Sequence, residues 1–411
     1  MHYDAIVVGL GAMGSATAYQ LAARGRRVLG LEAFGRAHQL GSSGGLTRII
    51  RQAYYEHPVY VPLLRAAWDL WPRIAAESGQ DLMLQTGGLY AGRRGSTVLE
   101  GSLRSAQSHD LQHELLDADE ARRRFPALQL DDDMTALYEP LAGLLYPERC
   151  IGAHLDLAER YGAELHFDER VTAWAGSTAI EVSTPDGHYT ADRLVLAAGA
   201  WLQQLLPDLQ LPLSVERQPL FWFEPVGDPE LLAPDRLPVY LVELDREHAF
   251  YGFPVLPGQG AKVARHHGGR PTDPDGLDRE ATDADEQEVR RFAERYLPAA
   301  NGRRLDSRVC MYTNTPDFDF IVDFHPQDER VVLLSPCSGH GFKFSNVMGS
   351  IGADLVTEGS TAHEIGFMSL ARFSVTGSAG RIPLGRSTSM LDPGLSEGVR
   401  CGPRHGDPLG G

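Results

Sequence analysis

Two rhythms of apolar residues alternate along this chain. Asp4-Ala5-Ile6-Val7-Val8 is a β-branched run of the kind that parallel sheets bury on both faces. After Gly9 to Gly14, residues Ala16, Ala18, Leu21 and Ala22 recur on one helical face that ends near Gly25, and Val28-Leu29-Gly30-Leu31 forms a second strand closing on Glu32. Helical spacing returns from Pro62 to Ser78 and from Pro147 to Tyr161, the latter with proline in its first turn and feeding a strand at Ala163 to Phe167. Asp192 to Trp201 reads as a strand running into Ala197-Ala198-Gly199-Ala200. Between Leu213 and Arg304 the pattern becomes strand alternation, as in Leu220 to Phe223 and Phe250 to Phe253, which predicts an antiparallel sheet walling a pocket. Arg308, Cys310 and Tyr312 alternate and so share one strand face. Phe320 to Asp323 and Val331 to Leu334 are further strands, the last entering Ser338 to Phe344 and a helix from near Phe342 to Val356.

The weaker stretches are informative too. Signals lapse from about Thr86 to Leu141, apart from a strand at Gly87 to Tyr90 and a short helix capped at Asp117 to Glu120 that stops before Pro126. Asp131-Asp132-Asp133 reads as a solvated acidic turn, with no further ligand at metal-binding spacing. Asp273 to Glu288 reads as a solvated acidic loop leading into a helix from Glu286 to Tyr296. From Ser374 onward periodicity stops and a disordered tail is expected.

The first thirty residues give the order strand, Gly-rich turn, helix, strand, acid. Gly9 suits a tight turn, Gly11 lets backbone approach a pyrophosphate at the helix N-terminus, and Gly14 lets helix and strand pack closely. Glu32 stands at the end of the second strand, where a carboxylate accepts from ribose hydroxyls. The unit predicts dinucleotide binding without choosing between NAD and FAD. Gly41 to Thr47, with Arg48 and Arg51, suggests backbone packed on a flat ligand. Gly41-Ser42-Ser43-Gly44-Gly45 also satisfies the GxSxG pattern of a serine hydrolase, but Phe34 to Leu40 intervene where a nucleophile elbow needs a strand.

Length and charge narrow the classes. A chain of 411 residues, 43% hydrophobic, has room for two or three domains. Its net charge of −17 argues against nucleic-acid or anionic-membrane partners, and no apolar run reaches a membrane span. Four cysteines without a CxxC pair, and no leader pattern at Met1 to Asp4, lead us to expect reduced thiols in the cytoplasm.

Gly9 to Gly14 with Glu32, Thr47-Arg48-Ile49-Ile50-Arg51, Lys262 with His266, Cys310-Met311-Tyr312-Thr313, and Ser338-Gly339-His340-Gly341-Phe342-Lys343 together resemble the monomeric sarcosine oxidase and N-methyltryptophan oxidase family, which includes pipecolate oxidases. The resemblance spans about residues 3 to 373. It implies an α/β architecture, with a Rossmann-like FAD-binding domain over 1–85, 142–212 and 305–373 and an inserted antiparallel substrate domain over 86–141 and 213–304. It implies FAD rather than NAD, joined through Cys310, and Arg308 or Arg48 is expected near that thiol. Cofactor contacts would come from Gly9, Gly11, Gly14, Glu32, Ser42, Thr47, Arg48, Gly199, Gly339, Gly341 and Lys343. Arg51 and Lys343 match the pair that holds a substrate carboxylate, a guanidinium fork plus a point charge. Tyr251, His266 and Tyr312 match pocket residues around the amine, and Lys262 matches a lysine that assists oxygen reduction. The implied reaction oxidises the secondary amine of an amino acid and passes the electrons to oxygen, giving peroxide and an imine that then hydrolyses. An amine dehydrogenase or a biosynthetic cyclic-imine or amine oxidase on the same fold is the alternative. No metal is implied, and a monomer or weak oligomer is expected. The chain departs from the family pattern at Ser43, Gly44 and Leu46, and at Pro336 and Cys337.

Overall fold

A computed structural model describes residues 2–373; the expected tail lies outside the described residues. The continuous apolar runs form a parallel sheet, in the order Asp328–Ser335, His188–Leu196, His2–Val8, Val28–Leu31, Glu164–His166. Its strands come from three separated stretches of chain. Ile321–His325 pairs antiparallel with Asp328–Ser335, and the hairpin Ala173–Gly176 with Ile180–Ser183 pairs along the start of His188–Leu196. Helices Ala12–Ala23 and Ser345–Glu358 pack on one another through small residues: a Cβ on Gly349 would run into Ala16, and one on Gly352 would meet Thr17. This is the expected α/β, Rossmann-like arrangement.

Because the strands are parallel, the turns that follow them emerge at one edge. Gly9 to Gly14, Glu32, Ala197 to Gly199 and Pro336 to Gly341 all lie just beyond strand ends, where α/β sheets bind ligands.

The second sheet has eight strands, in the order Arg304–Asn314, Ser214–Phe223, Ala261–His266, Ala249–Phe253, Val239–Glu243, Gly88–Arg93, Met134–Glu139, Glu114–Asp117. It is antiparallel as expected, except that Val239–Glu243 runs parallel to Gly88–Arg93. That junction joins two distant stretches of sequence, so no hairpin dictates its direction. The strand Arg304–Asn314 pairs along its whole length with Ser214–Phe223. The expected boundary at 304 and 305 therefore falls at the start of this strand, and ladder hydrogen bonds carry the second sheet on to Asn314. A small third sheet, Arg48–Ile50, Gly143–Leu145 and Met83–Gln85, holds the segment that follows the glycine-rich turn.

Three local readings need correction. A helix, Thr97–Ser108, occupies part of the stretch where signals lapse, capped by Ser96. The helix expected at Glu286 begins at Asp283, because Thr282 and Asp285 form a reciprocal capping box. Asp131 is not simply solvated: it bonds Arg93, Arg295 and Tyr296, while Asp132 and Asp133 pair with Arg122 and Arg93. Among the described residues, no helix is long and apolar enough to cross a membrane.

Candidate active site

The turns at the parallel sheet's edge and the face of the second sheet enclose one long cleft, running from Glu32 and Trp201 past Gly11, Ser42 and Cys310 to Arg51 and Lys343. At its nucleotide end the three glycines separate by cause. Gly9 has φ +86° and a Cβ there would sit 2.7 Å from the Ala197 carbonyl oxygen, while one on Gly14 would collide with the Gly9 carbonyl. Gly11, the N-cap of helix Ala12–Ala23, would meet no protein atom within 4 Å. Packing explains two of the glycines, and only room for a ligand explains the third. No side chain caps this helix and no acid sits in its first turn, so its N–H groups and positive dipole end face the cleft. Glu32 is held by the amides of Leu10 (2.8 Å) and Phe34 (3.1 Å), with His38 at 3.3 Å. Gly199 has φ +54° and open space around it. Ser42 Oγ and Thr313 Oγ1 are buried, line the cleft and have no partner, as expected of atoms that a bound polar ligand satisfies. These features fit a dinucleotide.

In the middle of the cleft, strand Arg304–Asn314 presents Cys310 and Tyr312. The Cys310 thiol faces the Ser42 carbonyl at 3.3 Å, and Arg48 donates to its sulfur at 3.4 Å. Arg48 also bonds the carbonyls of Ser42, Gly44 and Thr47, clamping the turn. From the other side, the Glu148 carboxylate accepts the amides of Gly45 and Leu46. Arg308 is on the expected strand face, but it reaches away to Gln39 and lies over Trp222.

Lys262 and Thr47 differ from expectation. Lys262 is buried at 2% exposure yet does not line the cleft. Its ammonium donates to the carbonyls of Gly45 (2.6 Å) and Thr47 (3.0 Å) and to Thr47 Oγ1 (3.1 Å). Burial, then the Arg48 charge, holds its pKa well below that of a free lysine. The Thr47 side chain is engaged with this lysine and is absent from the cleft wall. Both residues brace the turn at Gly45 to Thr47.

At the far end, Arg51, Glu56, Tyr251, His266, Tyr312 and Lys343 converge. Nη2 of Arg51 donates to both carboxylate oxygens of Glu56, at 2.7 and 2.6 Å, and the guanidinium lies 4.3 Å from the Tyr54 ring centre and 4.7 Å from that of Tyr55. Lys343 donates to the His340 carbonyl at 2.6 Å, and burial, followed by the Arg51 charge, lowers its pKa to about 7. His266 sits between two hydroxyls, Tyr55 at 2.8 Å and Tyr312 at 3.2 Å, with Tyr251 edge-on to its ring. Burial holds it neutral at pH 7, so it offers one donor and one acceptor. Burial also raises the phenols of Tyr251 and Tyr312. Gly339 and Gly341 are required by packing: a Cβ on the first would crowd the Tyr312 ring, and one on the second would strike the Pro336 carbonyl. Sequence reasoning missed Glu56, Glu148, Tyr54, Tyr55 and His340. Glu56 had a signal, being the one acid in the aromatic run that follows Arg51.

Comparison with known proteins agrees with this geometry. The family model described as FAD dependent oxidoreductase matches residues 4–355. The monomeric sarcosine oxidase of Streptomyces avermitilis is 45% identical over 376 residues, covering 90% of this chain and 98% of its own. An N-methyl-L-tryptophan oxidase of Yersinia pestis is 36% identical over 91% of this chain and all of its own. Among solved structures, NikD, an unusual amino acid oxidase essential for nikkomycin biosynthesis, superposes with a TM-score of 0.79 at 26% identity, over 90% of this chain and 97% of its own.

Proposed function

The chain belongs to the FAD-dependent oxidoreductase family of the sarcosine and N-methyltryptophan oxidases, and from that premise we propose that it oxidises the secondary amine of an amino acid, N-methylated or cyclic, with oxygen as acceptor. One observation carries the reading: a single cleft has a dinucleotide unit at one end and two buried cations, Arg51 and Lys343, at the other. A zwitterionic amino acid needs that pairing of a redox group with a carboxylate receptor.

Gly11, Glu32, Ser42 and Gly199 would hold the FAD, and Cys310 would tether it. When bound, FAD supplies the two-electron acceptor for the amine and hands the electrons to oxygen, giving peroxide and an imine that water hydrolyses. The tether is supported by a cleft-lining thiol to which the Arg48 guanidinium donates at 3.4 Å. Arg51 would fork onto the substrate carboxylate with Lys343 as a second charge, which requires Glu56 to give way or share. Neutral His266, poised between Tyr55 and Tyr312, would orient the amine and take up a proton that it sheds. The Tyr54 and Tyr55 rings would shield the Arg51 guanidinium, and with it the bound carboxylate, from water. We further propose a cytoplasmic protein, monomeric or weakly oligomeric.

One observation favours a second reading, a dehydrogenase on the same fold: Lys262, proposed to assist oxygen, is engaged at the turn. Anaerobic bleaching of the yellow protein by a panel of N-methyl and cyclic amino acids, followed by admission of oxygen, decides between them. Bleaching and prompt peroxide support the oxidase; bleaching without peroxide assigns a dehydrogenase; no bleaching by any amine removes the proposed activity. Flavin that stays in the acid-precipitated pellet identifies the tether.

A further inference from the structure

Beneath the loop that carries Arg51, Tyr54, Tyr55 and Glu56 lies a carboxylate to which the proposed reaction gives no part. Glu139 ends the strand Met134–Glu139 of the second sheet and is 1% exposed. One oxygen accepts the backbone amides of Gln52 (2.8 Å) and Ala53 (3.0 Å), and the other accepts the Tyr90 hydroxyl (2.8 Å). The Ala53 carbonyl in turn accepts from Arg51 at 3.0 Å. A single side chain thus ties the second sheet to Ala53, the residue whose carbonyl the Arg51 guanidinium bonds.

A buried carboxylate is a poor choice if stability alone matters. Burial lifts Glu139 to about 7, against the pull of its three hydrogen bonds and of Arg51. An apolar residue would avoid that desolvation but would orphan two amides in a loop that belongs to no helix or sheet. What Glu139 alone supplies is an acceptor at one point in space for two successive loop amides.

We propose that Glu139 is the positioning residue of the carboxylate receptor: by pinning the amides of Gln52 and Ala53 it sets where Arg51 stands, and so governs affinity for the amino-acid carboxylate rather than the rate of amine oxidation. This rests on the proposed role of Arg51. Two isolated effects could be confused, the reach of the side chain and its charge, and two variants separate them. Glu139→Gln keeps an oxygen within reach of both amides and loses the charge. Glu139→Asp keeps the charge and loses the reach.

The test titrates each purified holoenzyme with methoxyacetate, a carboxylate without the amine, reading the visible spectrum of the flavin. It adds the limiting rate of anaerobic bleaching and hydrogen exchange at residues 52 and 53. Loss of one buried hydrogen bond to a charged group corresponds to roughly a tenfold change in Kd. We expect Glu139→Asp to weaken methoxyacetate by about that factor and to speed exchange at both amides, with the limiting bleaching rate within about twofold of wild type and Glu139→Gln within about threefold in Kd. The reverse order of the two variants, an unchanged Kd in Glu139→Asp, or unchanged exchange would overturn the proposal. If Glu139→Asp does not fold, Tyr90→Phe removes one tie to the same carboxylate and must weaken methoxyacetate severalfold; no change overturns the proposal. If wild type is bleached by no N-methyl amino acid, the proposed activity fails, while exchange and titration still judge Glu139.

Discussion

Replacing Glu56 by glutamine should tighten carboxylate binding while making the ligand-free protein less stable. One Arg51 nitrogen is shared by both oxygens of Glu56, with side chains 5% and 11% exposed. Burial alone would raise the Glu56 carboxyl, but Arg51, then His340 and Lys343, pull it below the usual range, so it is ionised at neutral pH. Two unit charges about 4 Å apart attract by about 4 kcal/mol at an effective dielectric near 20. An incoming carboxylate must overcome or share that attraction. Glutamine keeps a neutral hydrogen bond and loses most of the Coulomb part, so roughly 1.4 to 3 kcal/mol becomes available to the ligand, or about tenfold to a hundredfold in Kd. Without a ligand, the Arg51 charge is left buried and unpaired, at a cost of about 3 kcal/mol and a thermal midpoint several degrees lower. Spectral titration with methoxyacetate and a melt of the ligand-free protein read the two effects. Opposite signs are the signature. If affinity falls along with stability, Glu56 supports the receptor instead of competing for it, and Arg51 is not displaced by substrate.

Three further outcomes follow from the same geometry. Gly11→Ala should fold with a near-normal melting point yet retain less FAD per chain, since its methyl meets no protein atom, whereas Gly14→Ala should fold poorly because its methyl strikes the Gly9 carbonyl; equal flavin content in Gly11→Ala and wild type would contradict the pyrophosphate assignment. Lys343, lowered to about 7, is charged below that pH and loses its proton above it, so methoxyacetate affinity should be flat in acid and weaken by up to about tenfold per pH unit above neutrality. Lys343→Arg should flatten the profile and so separate Lys343 from Glu139, which titrates in the same range. Lys262→Met should slow reoxidation by oxygen far more than anaerobic bleaching; if both slow equally, its work is only to hold the turn at Gly45 and Thr47.

The nucleotide unit was legible because its demands are local. A strand buried on both faces must be continuously apolar, and a backbone at positive φ that also abuts another segment of backbone must be glycine, so residues 4 to 32 spell their own geometry. The helix Thr97–Ser108 is hidden for the opposite reason. Its first amides, at Thr97 and Val98, and its Ser96 cap are satisfied by Glu243, a residue on a strand more than 140 positions away. No window of sequence contains both partners. The parallel junction of Val239–Glu243 with Gly88–Arg93 is equally invisible, because strand direction there is set by pairing between segments that no turn connects. Family resemblance supplied Lys262 and Thr47 as site residues, but not that they would bond each other at the turn.

What no single residue reveals is the charge balance of the cleft. The chain is acidic overall at −17, yet Arg48, Arg51 and Lys343 line its cleft and Lys262 is buried against the Gly45 to Thr47 turn beside it. Of these four, only Arg51 meets a carboxylate directly, and Glu148 offers its oxygen to backbone amides instead. Arg48, Lys262 and Lys343 rest chiefly on carbonyl dipoles, at Ser42, Gly44, Gly45, Thr47 and His340. A buried cation held by neutral dipoles is costly, and its cost falls when an anion arrives. The depressed pKa values of Lys262 and Lys343 are that cost expressed in protons. Two kinds of anion fit the two ends of the cluster: negative charge developing on a bound redox group beside Arg48, and the carboxylate of an amino acid between Arg51 and Lys343. The folded protein therefore stores unfavourable positive charge where the proposed reaction gathers negative charge, and each binding event should raise the proton affinity of the nearest lysine.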